Sequence, residues 1–493
     1  MSKRRQSARK KKKRRLGSPA SYTPLNRHQQ RGKLLQTPFN RITNLQATSW
    51  IDHRLPEMLW CSLLICSYDR TRTLELVRKI CLSCKGLHEQ FRNPDITLSS
   101  IALLPDEKLK EIVNTVCENA DAKKALRPLL LFDELPAFPV WRRAIGEAPE
   151  RDDWEQLKIT VLRSLDHQSE TSTDCRWARV LFKMVAGQVL VRAEENVEGV
   201  LKYPYHGDLT LVRPHIRATE ITFDLPKERD RKWSQCFWRD CLLNTRCEGA
   251  IRYAPSGSPA AGTTRARTRE VRTRLSERFL GSIASTAADA RIESIFGIAA
   301  YSLALLEELL NVSNSSSVLG RLGLRTILYS YITLAYLLCK DNNELWLSYR
   351  NYGLGQAKLS FLKIGASDSA RGFITPELLE SLANEDRWME FVDIDLGHWA
   401  GTNLRQMSIG TNNVELYETY YPWTSGFGHS NWAAVRNTSF GICVNPLHRL
   451  HRVLMPDSNA LGDVIQDACG LIQAILDLVH KEFPEFDEKI AVP

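Results

Sequence analysis

The segment Gly320–Cys339 reads GRLGLRTILYSYITLAYLLC, and its polar residues recur at a helical spacing. Beginning at the first arginine, they follow at steps of four, four, four and three, which places them on one face of an α-helix. These residues are Arg321, Arg325, Tyr329, Thr333 and Tyr336. The other faces carry mainly Leu and Ile, so the pattern predicts a helix that neighbouring helices enclose. An enclosed arginine needs an acceptor.

Two interpretations of this arginine stripe are open. In the first, Arg321 and Arg325 line a cleft beside Tyr329 and bind a phosphate or carboxylate through their planar guanidinium groups. In the second, the arginines are structural and pair with carboxylates of other segments. The candidate partners are Glu307, Glu308, Asp393 and Asp395.

Helical spacing of apolar residues extends through most of the chain, so the predicted fold class is mostly α. A Pro, Gly and Ala-rich stretch at 254–262 has the composition of a domain boundary. We therefore predict an N-terminal helical domain over residues 49–255 and a C-terminal helical bundle over residues 265–493. A short β-hairpin is plausible only between residues 200 and 225, where Pro and Gly interrupt alternating apolar residues.

Charge is unevenly distributed along the 493 residues. The chain has 66 basic and 57 acidic residues, for a net charge of +9. Fourteen of the first 50 residues are basic and none is acidic, so the remainder has 66 − 14 = 52 basic against 57 acidic residues, a net charge of −5. Residues 1–48 combine this charge with few apolar residues, which predicts a disordered basic arm.

Ten of the thirteen residues between positions 3 and 15 are cationic, and this density favours binding of a polyanion through counterion release. They are Lys3, Arg4, Arg5, Arg9, Lys10, Lys11, Lys12, Lys13, Arg14 and Arg15. Nucleic acid, with RNA favoured, is the leading partner. The alternatives are an acidic membrane surface, a localisation signal or a solubilising tail.

The segment Trp423–Asn431 reads WTSGFGHSN and predicts an ordered loop with a candidate catalytic histidine. Its two glycines free the backbone around His429, which could act as a general acid or base beside Ser425 and Ser430. The alternative is a capping loop in which Ser430 begins the next helix and the histidine is incidental.

The sequence lacks the signature motifs of several enzyme classes. The chain contains no phosphate-binding glycine loop, no dinucleotide fingerprint, no His-Glu-x-x-His and no Gly-x-Ser-x-Gly. The twelve cysteines lack paired ligand spacing, so we predict no metal, no cofactor and a reducing compartment. No apolar stretch predicts a membrane span or a secretory signal, and we expect a cytoplasmic protein that does not bind membranes.

Residues from Gly323 to Leu338, the run Trp346-Leu-Ser-Tyr349 and the Ser425–Ser430 segment resemble an uncharacterised bacterial all-helical family, a domain of unknown function. The resemblance covers about residues 280–480. It implies a helix that bears an arginine, a second helix that contains the tyrosine at 349, and a Ser-x-x-x-His-Ser segment. By analogy with compact toxin and abortive-infection domains, it also suggests a role in bacterial defence.

Together these features predict a nucleic-acid-associated effector or sensor, with a ligand-binding or RNA-cleaving site in the C-terminal bundle. In that site Arg325 and His429 would be catalytic, and Tyr349 would contact the ligand. Whether the protein is an enzyme is left open. The alternative is a non-enzymatic protein–protein interaction module, and convergence of Arg325, Tyr349 and His429 in one cleft would distinguish the two.

Overall fold

The computed structural model describes most of the chain in thirteen segments. They are residues 27–38, 41, 49–85, 94–188, 194–205, 208–223, 232–251, 261–281, 289–311, 315–365, 375–384, 392–449 and 451–490. The described residues are predominantly helical, as the sequence predicts. The cationic residues of positions 3–15, predicted to bind nucleic acid, lie outside these segments.

The chain forms two compact units. Unit 1 contains residues up to 247 together with 445–449, and unit 2 contains residues 248–444 and those from 450 onward. The described residues of unit 1 include a small hairpin, a π-helical turn at Trp50–Arg54 and a 3₁₀ turn at Arg127–Leu131. Its strands and helices are β1 (Gln29–Arg31), β2 (Leu34–Gln36), α1 (Leu55–Glu57), α2 (Leu59–Ser67), α3 (Arg70–Ser83), α4 (Leu98–Ile101), α5 (Asp106–Val116), α6 (Ala120–Leu126), α7 (Phe138–Ile145), α8 (Asp152–Leu165), α9 (Glu170–Val185), α10 (Glu194–Leu201), α11 (Leu209–Glu220) and α12 (Lys232–Asn244).

The core of unit 1 is rich in aromatic side chains. Trp60 of α2 and Trp177 of α9 are fully buried. The indole N–H of Trp60 donates to the carbonyl oxygen of Ile96 (3.2 Å), and that of Trp177 donates to the carbonyl oxygen of Val200 (2.7 Å). Burial of these rings therefore leaves their polar atoms satisfied.

The predicted hairpin between 200 and 225 is wrong, because this stretch contains helix α11. The Asp208 side chain accepts from the backbone N–H of Thr210 (2.8 Å) and caps the helix. Leu209, Val212 and Ile216 then pack on the unit 1 core at positions i, i+3 and i+7. The period of these residues is thus helical rather than alternating.

Unit 2 is a helical bundle with a small antiparallel sheet in the order β3-β4-β5. Its described elements are β3 (Ala250–Ile251), α13 (Ala261–Leu280), α14 (Ala290–Leu309), α15 (Val318–Lys340), α16 (Asn343–Gly365), α17 (Pro376–Ala383), α18 (Leu404–Gly410), α19 (Val414–Gly428), α20 (Trp432–Ser439), β4 (Phe440–Cys443), β5 (Arg452–Leu454) and α21 (Ile465–Glu482). A 3₁₀ turn at Pro446–His448, which belongs to unit 1, lies between β4 and β5 in sequence.

Helix α15 contains the predicted arginine stripe and packs against α14, α18, α19 and α21. By length and composition it is the one described helix that could cross a membrane. Its Ile327, Leu328 and Ile332 are fully buried in the unit 2 core, an environment typical of a central bundle helix. Gly323 allows α14 and α15 to approach closely, since a Cβ there would lie 2.7 Å from Leu309 Cδ2.

Candidate functional site

A cavity of about 830 Å³ lies within unit 2, lined by α14, α15, α16 and the segment around residue 398. Three of the residues predicted to form a site, Arg325, Tyr329 and Tyr349, line it. The described residues around the cavity include no Asp or Glu, so its lining offers cations, hydroxyls and aromatic rings. This combination is suited to an anionic group attached to a ring.

Arg325 projects from α15 beside the end of α19. Its Nη2 donates to the hydroxyl oxygen of Tyr421 (3.3 Å), and its guanidinium carbon lies 5.1 Å from the centre of that tyrosine ring. Gly428 provides the space, because a Cβ at this position would lie 2.6 Å from Arg325 Nη1. Among the described residues no carboxylate forms an ion pair with Arg325, and its one polar side-chain contact is a neutral hydroxyl.

Aromatic rings form one wall of the cavity. Trp399 lies edge to face with Tyr349, with ring centres 5.1 Å apart and an interplanar angle of 76°. The ring centre of His398 lies 5.4 Å from that of Trp399 and 6.2 Å from that of Tyr352. The rings pack against one another, so their positions are fixed before any ligand enters.

Burial favours the neutral forms of Tyr349 and His398 in this wall. Burial raises the pKa of Tyr349, and the neighbouring Tyr301 raises it further. Burial lowers the pKa of His398. The backbone N–H of Ala400 donates to His398 Nδ1 (3.3 Å), so the ring proton is placed on Nε2, where it can donate.

A second cation, Arg350, lines the cavity but already has an acidic partner. Its Nη1 lies 3.3 Å from Glu293 Oε2. Because this ion pair satisfies part of its charge, Arg325 is the stronger candidate for binding an anion within the cavity.

Arg321, one helical turn before Arg325, is buried and lies outside the cavity lining. Its Nη1 donates to the carbonyl oxygens of Ser315 (3.2 Å) and Ser317 (3.3 Å), and its Nη2 donates to that of Gly462. Burial lowers the pKa of Arg321. Its acceptors are thus main-chain carbonyls of unit 2 rather than the carboxylates predicted as structural partners.

The predicted carboxylate partners have other roles or positions. Glu307 Oε2 lies 3.3 Å from Arg272 Nη1, and Glu307 also pairs with Arg269 of α13. Asp395 Oδ1 accepts from the backbone N–H of Gly397 (2.7 Å) within its own loop. The structural interpretation therefore identified the need for acceptors but not their source.

The predicted loop at 423–431 is wrong over residues 423–428, because α19 continues to Gly428 with Pro422 inside it. His429 is the C-terminal cap and is exposed, as is Ser430, and neither they nor Ser425 are among the residues that line the cavity. Asn431, rather than Ser430, caps α20, since its Oδ1 accepts from the N–H of Ala434 (2.9 Å).

Sequence reasoning missed three of the four rings in the aromatic wall, namely Tyr352, His398 and Trp399. Tyr352 follows Tyr349 by three residues on α16, a spacing that puts both on one face and was available as a signal. His398 and Trp399 lie in a loop without periodicity, so only the tertiary structure brings them to the cavity.

The fold and the cavity define an all-helical protein whose second unit contains an arginine-bearing aromatic cavity. Residues 313–441 match the model of a family described as a family of unknown function (DUF5677). This match, which spans α15 to the start of β4, confirms the predicted resemblance of the C-terminal region to an uncharacterised family. Neither the curated proteins nor the solved structures contain a match to the chain.

Proposed function

We propose that this protein is a cytoplasmic, nucleic-acid-associated sensor whose unit 2 cavity binds a small anion that carries an aromatic ring, such as a nucleotide. The observation that supports this most directly is the placement of Arg325. Its guanidinium group lies at a cavity lined by aromatic rings, and among the described residues it has no carboxylate partner. The resemblance to compact defence domains supports a role in bacterial defence.

Partial burial of Arg325 removes water from its guanidinium group. A half-buried guanidinium that meets only a tyrosine hydroxyl keeps several N–H groups available, and each charge-assisted hydrogen bond contributes about 1.5 to 3 kcal/mol. An anion in the cavity would take up these donors. A ring attached to that anion would stack against Tyr349 or Trp399.

Ligand binding is better supported than RNA cleavage. A general base must reach the proton that it removes, and His429 is exposed and does not line the cavity. His398 does line it, but its Nδ1 accepts from the backbone N–H of Ala400, so its Nε2 presents an N–H donor to the cavity rather than a basic lone pair. The chemistry of the cavity is therefore that of recognition.

The test is to measure binding of the four ribonucleoside 5′-monophosphates and of inorganic phosphate by isothermal titration calorimetry. We expect at least one nucleotide to bind, and Arg325→Ala to weaken that binding about tenfold or more, since one charge-assisted hydrogen bond is worth at least that factor. Arg405→Ala is the control, because Arg405 is exposed and pairs with Glu418 at the surface (3.4 Å).

Equal affinity of the Arg325→Ala and wild-type proteins would contradict the proposed site. If no nucleotide and no phosphate bound at all, the proposed ligand class would be wrong and the alternative of a protein–protein interaction module would be favoured.

The nucleic-acid association is proposed on the charge of the N-terminal arm and is tested separately. Replacing Lys10, Lys11, Lys12 and Lys13 with Gln should weaken binding to a single-stranded RNA and reduce its salt dependence, whose slope is about 0.7 per phosphate contact. Unchanged affinity would contradict this role. RNA that remains intact supports a sensor, whereas cleavage that is lost in His429→Ala would favour an effector.

A further inference from the structure

Hydrogen-bond acceptors are scarce in the lining of the unit 2 cavity. Arg325 and Arg350 contribute N–H groups alone, and Nε2 of His398 presents an N–H as well. Among the described residues, the lining contains no carboxylate and no side-chain amide. The hydroxyl oxygens of its Ser, Thr and Tyr residues are therefore the side-chain atoms that can accept a hydrogen bond from a ligand.

Two of these hydroxyls lie on α15 near Arg325, and both already use their hydrogen. Thr326 Oγ1 donates to the carbonyl oxygen of Leu322 (2.9 Å), and Ser330 Oγ donates to the carbonyl oxygen of Thr326 (3.1 Å). A hydroxyl that donates in this way keeps two lone pairs. Toward a ligand, Thr326 and Ser330 thus act as acceptors.

The two acceptors continue the same wall of the cavity that begins at the arginine. Thr326 follows Arg325 directly, and Ser330 lies one turn later on the same face of α15 as Thr326. The helical rise places Ser330 about 7.5 Å beyond Arg325 along the axis. Ser330 is buried and Thr326 is half-buried. A ligand that brings donors to these oxygens replaces the water that the cavity excludes.

The cavity thus offers three kinds of contact to one ligand. Arg325 attracts an anion, the hydroxyl oxygens of Thr326 and Ser330 accept from donors, and the rings of Tyr349 and Trp399 stack against a ring. A ribonucleotide contains all three groups, because its ribose hydroxyls are donors that lie between the phosphate and the base. A deoxyribonucleotide lacks the 2′-hydroxyl, the group by which proteins distinguish the two sugars.

We propose that Thr326 and Ser330 accept hydrogen bonds from the ribose hydroxyls of the ligand, so that the cavity selects ribonucleotides over deoxyribonucleotides. This inference rests on the proposed function, since it assigns the sugar of the nucleotide whose phosphate Arg325 binds. A deoxyribonucleotide leaves one of the two oxygens without a donor in a site that excludes water, and this loss weakens its binding.

The test compares each ribonucleoside 5′-monophosphate with its 2′-deoxy counterpart by isothermal titration calorimetry on the full chain. We expect the deoxy form to bind about two- to tenfold more weakly, the effect of one net hydrogen bond. The double variant Thr326→Val/Ser330→Ala should bring the two affinities close together, because it removes both acceptors. Thr326→Ser keeps its hydroxyl and should keep the preference.

The control is a double variant with the same two changes away from the cavity, Thr419→Val/Ser302→Ala. Thr419 Oγ1 donates to the carbonyl oxygen of Glu415 (2.8 Å), and Ser302 Oγ donates to that of Ile298 (2.7 Å), so both hydroxyls make the same type of helical contact. Neither residue lines the cavity. This variant should retain the preference for ribonucleotides, and thermal unfolding of each variant verifies that it is folded.

Equal binding of ribonucleotides and deoxyribonucleotides by the wild-type protein would overturn this inference and leave the proposed function intact. A preference among bases without a preference between sugars would likewise overturn it, because the hydroxyls would then accept from the exocyclic amine of a base. A sugar preference that survives in Thr326→Val/Ser330→Ala would overturn the assignment to these residues. Absence of any nucleotide binding would overturn the proposed function together with this inference.

Discussion

Replacing Glu220 with Gln should destabilise unit 1 strongly. Glu220 ends α11 and is 0% exposed, yet it meets three guanidinium groups. Arg54 Nη1 lies 3.2 Å from Oε2, Arg176 Nε lies 3.7 Å from the same oxygen, and Arg179 Nη1 contacts Oε1. Asp95 is a further carboxylate in this network, where it pairs with Arg179 (2.5 Å).

The magnitude follows from the balance of buried charge. Glu220→Gln keeps the shape of the side chain but leaves Arg54, Arg176 and Arg179 around a neutral amide. Removing one partner of a buried ion pair typically costs about 3 to 5 kcal/mol, because the remaining charge is uncompensated. With a urea dependence of about 2 to 3 kcal/mol per molar, the unfolding midpoint should fall by about 1 to 2.5 M.

The assay is urea unfolding combined with hydrogen exchange of peptides from α9, which reports on unit 1 specifically. The control is Glu134→Gln. Glu134 also pairs with a cation, Lys232 (2.6 Å), but the two side chains are 43% and 72% exposed, so solvent screens the pair and its loss should leave the unfolding midpoint nearly unchanged. Equal effects of the two variants would refute the reasoning that burial of the network determines its contribution.

Two further predictions concern the unit 2 cavity. Gly428→Ala should displace Arg325, because the new Cβ would lie 2.6 Å from its Nη1, and should weaken nucleotide binding by calorimetry. Gly470→Ala is the control, because a Cβ there meets nothing within 4 Å and Gly470 does not line the cavity; equal affinities of the two variants would contradict the close contact. Burial lowers the pKa of His398, so its imidazole should titrate below about 6.5 in NMR spectra, and unit 2 should lose stability as pH falls below that value. A midpoint at or above 6.5, with His398→Asn used to assign the signal, would contradict this.

The arginine stripe shows how far sequence reasoning reached. The spacing from Arg321 to Tyr336 predicted a helix over residues 320–339, and the structure has α15 over Val318–Lys340. The spacing could not predict that Arg321 and Arg325 have different roles. They lie about one helical turn of 5.4 Å apart on α15. The guanidinium group of Arg321 is surrounded by main-chain carbonyls, whereas that of Arg325 faces the open cavity.

The sequence by itself determined the helical class, the position of α15 and the segregation of positive charge, because each of these depends on residues that are neighbours along the chain. Only the tertiary structure decided that Arg325 joins Tyr349 and His398 at one cavity while His429 stays at an exposed helix end. Proximity across helices depends on packing angles and on small residues such as Gly428. Local periodicity carries no information about these contacts.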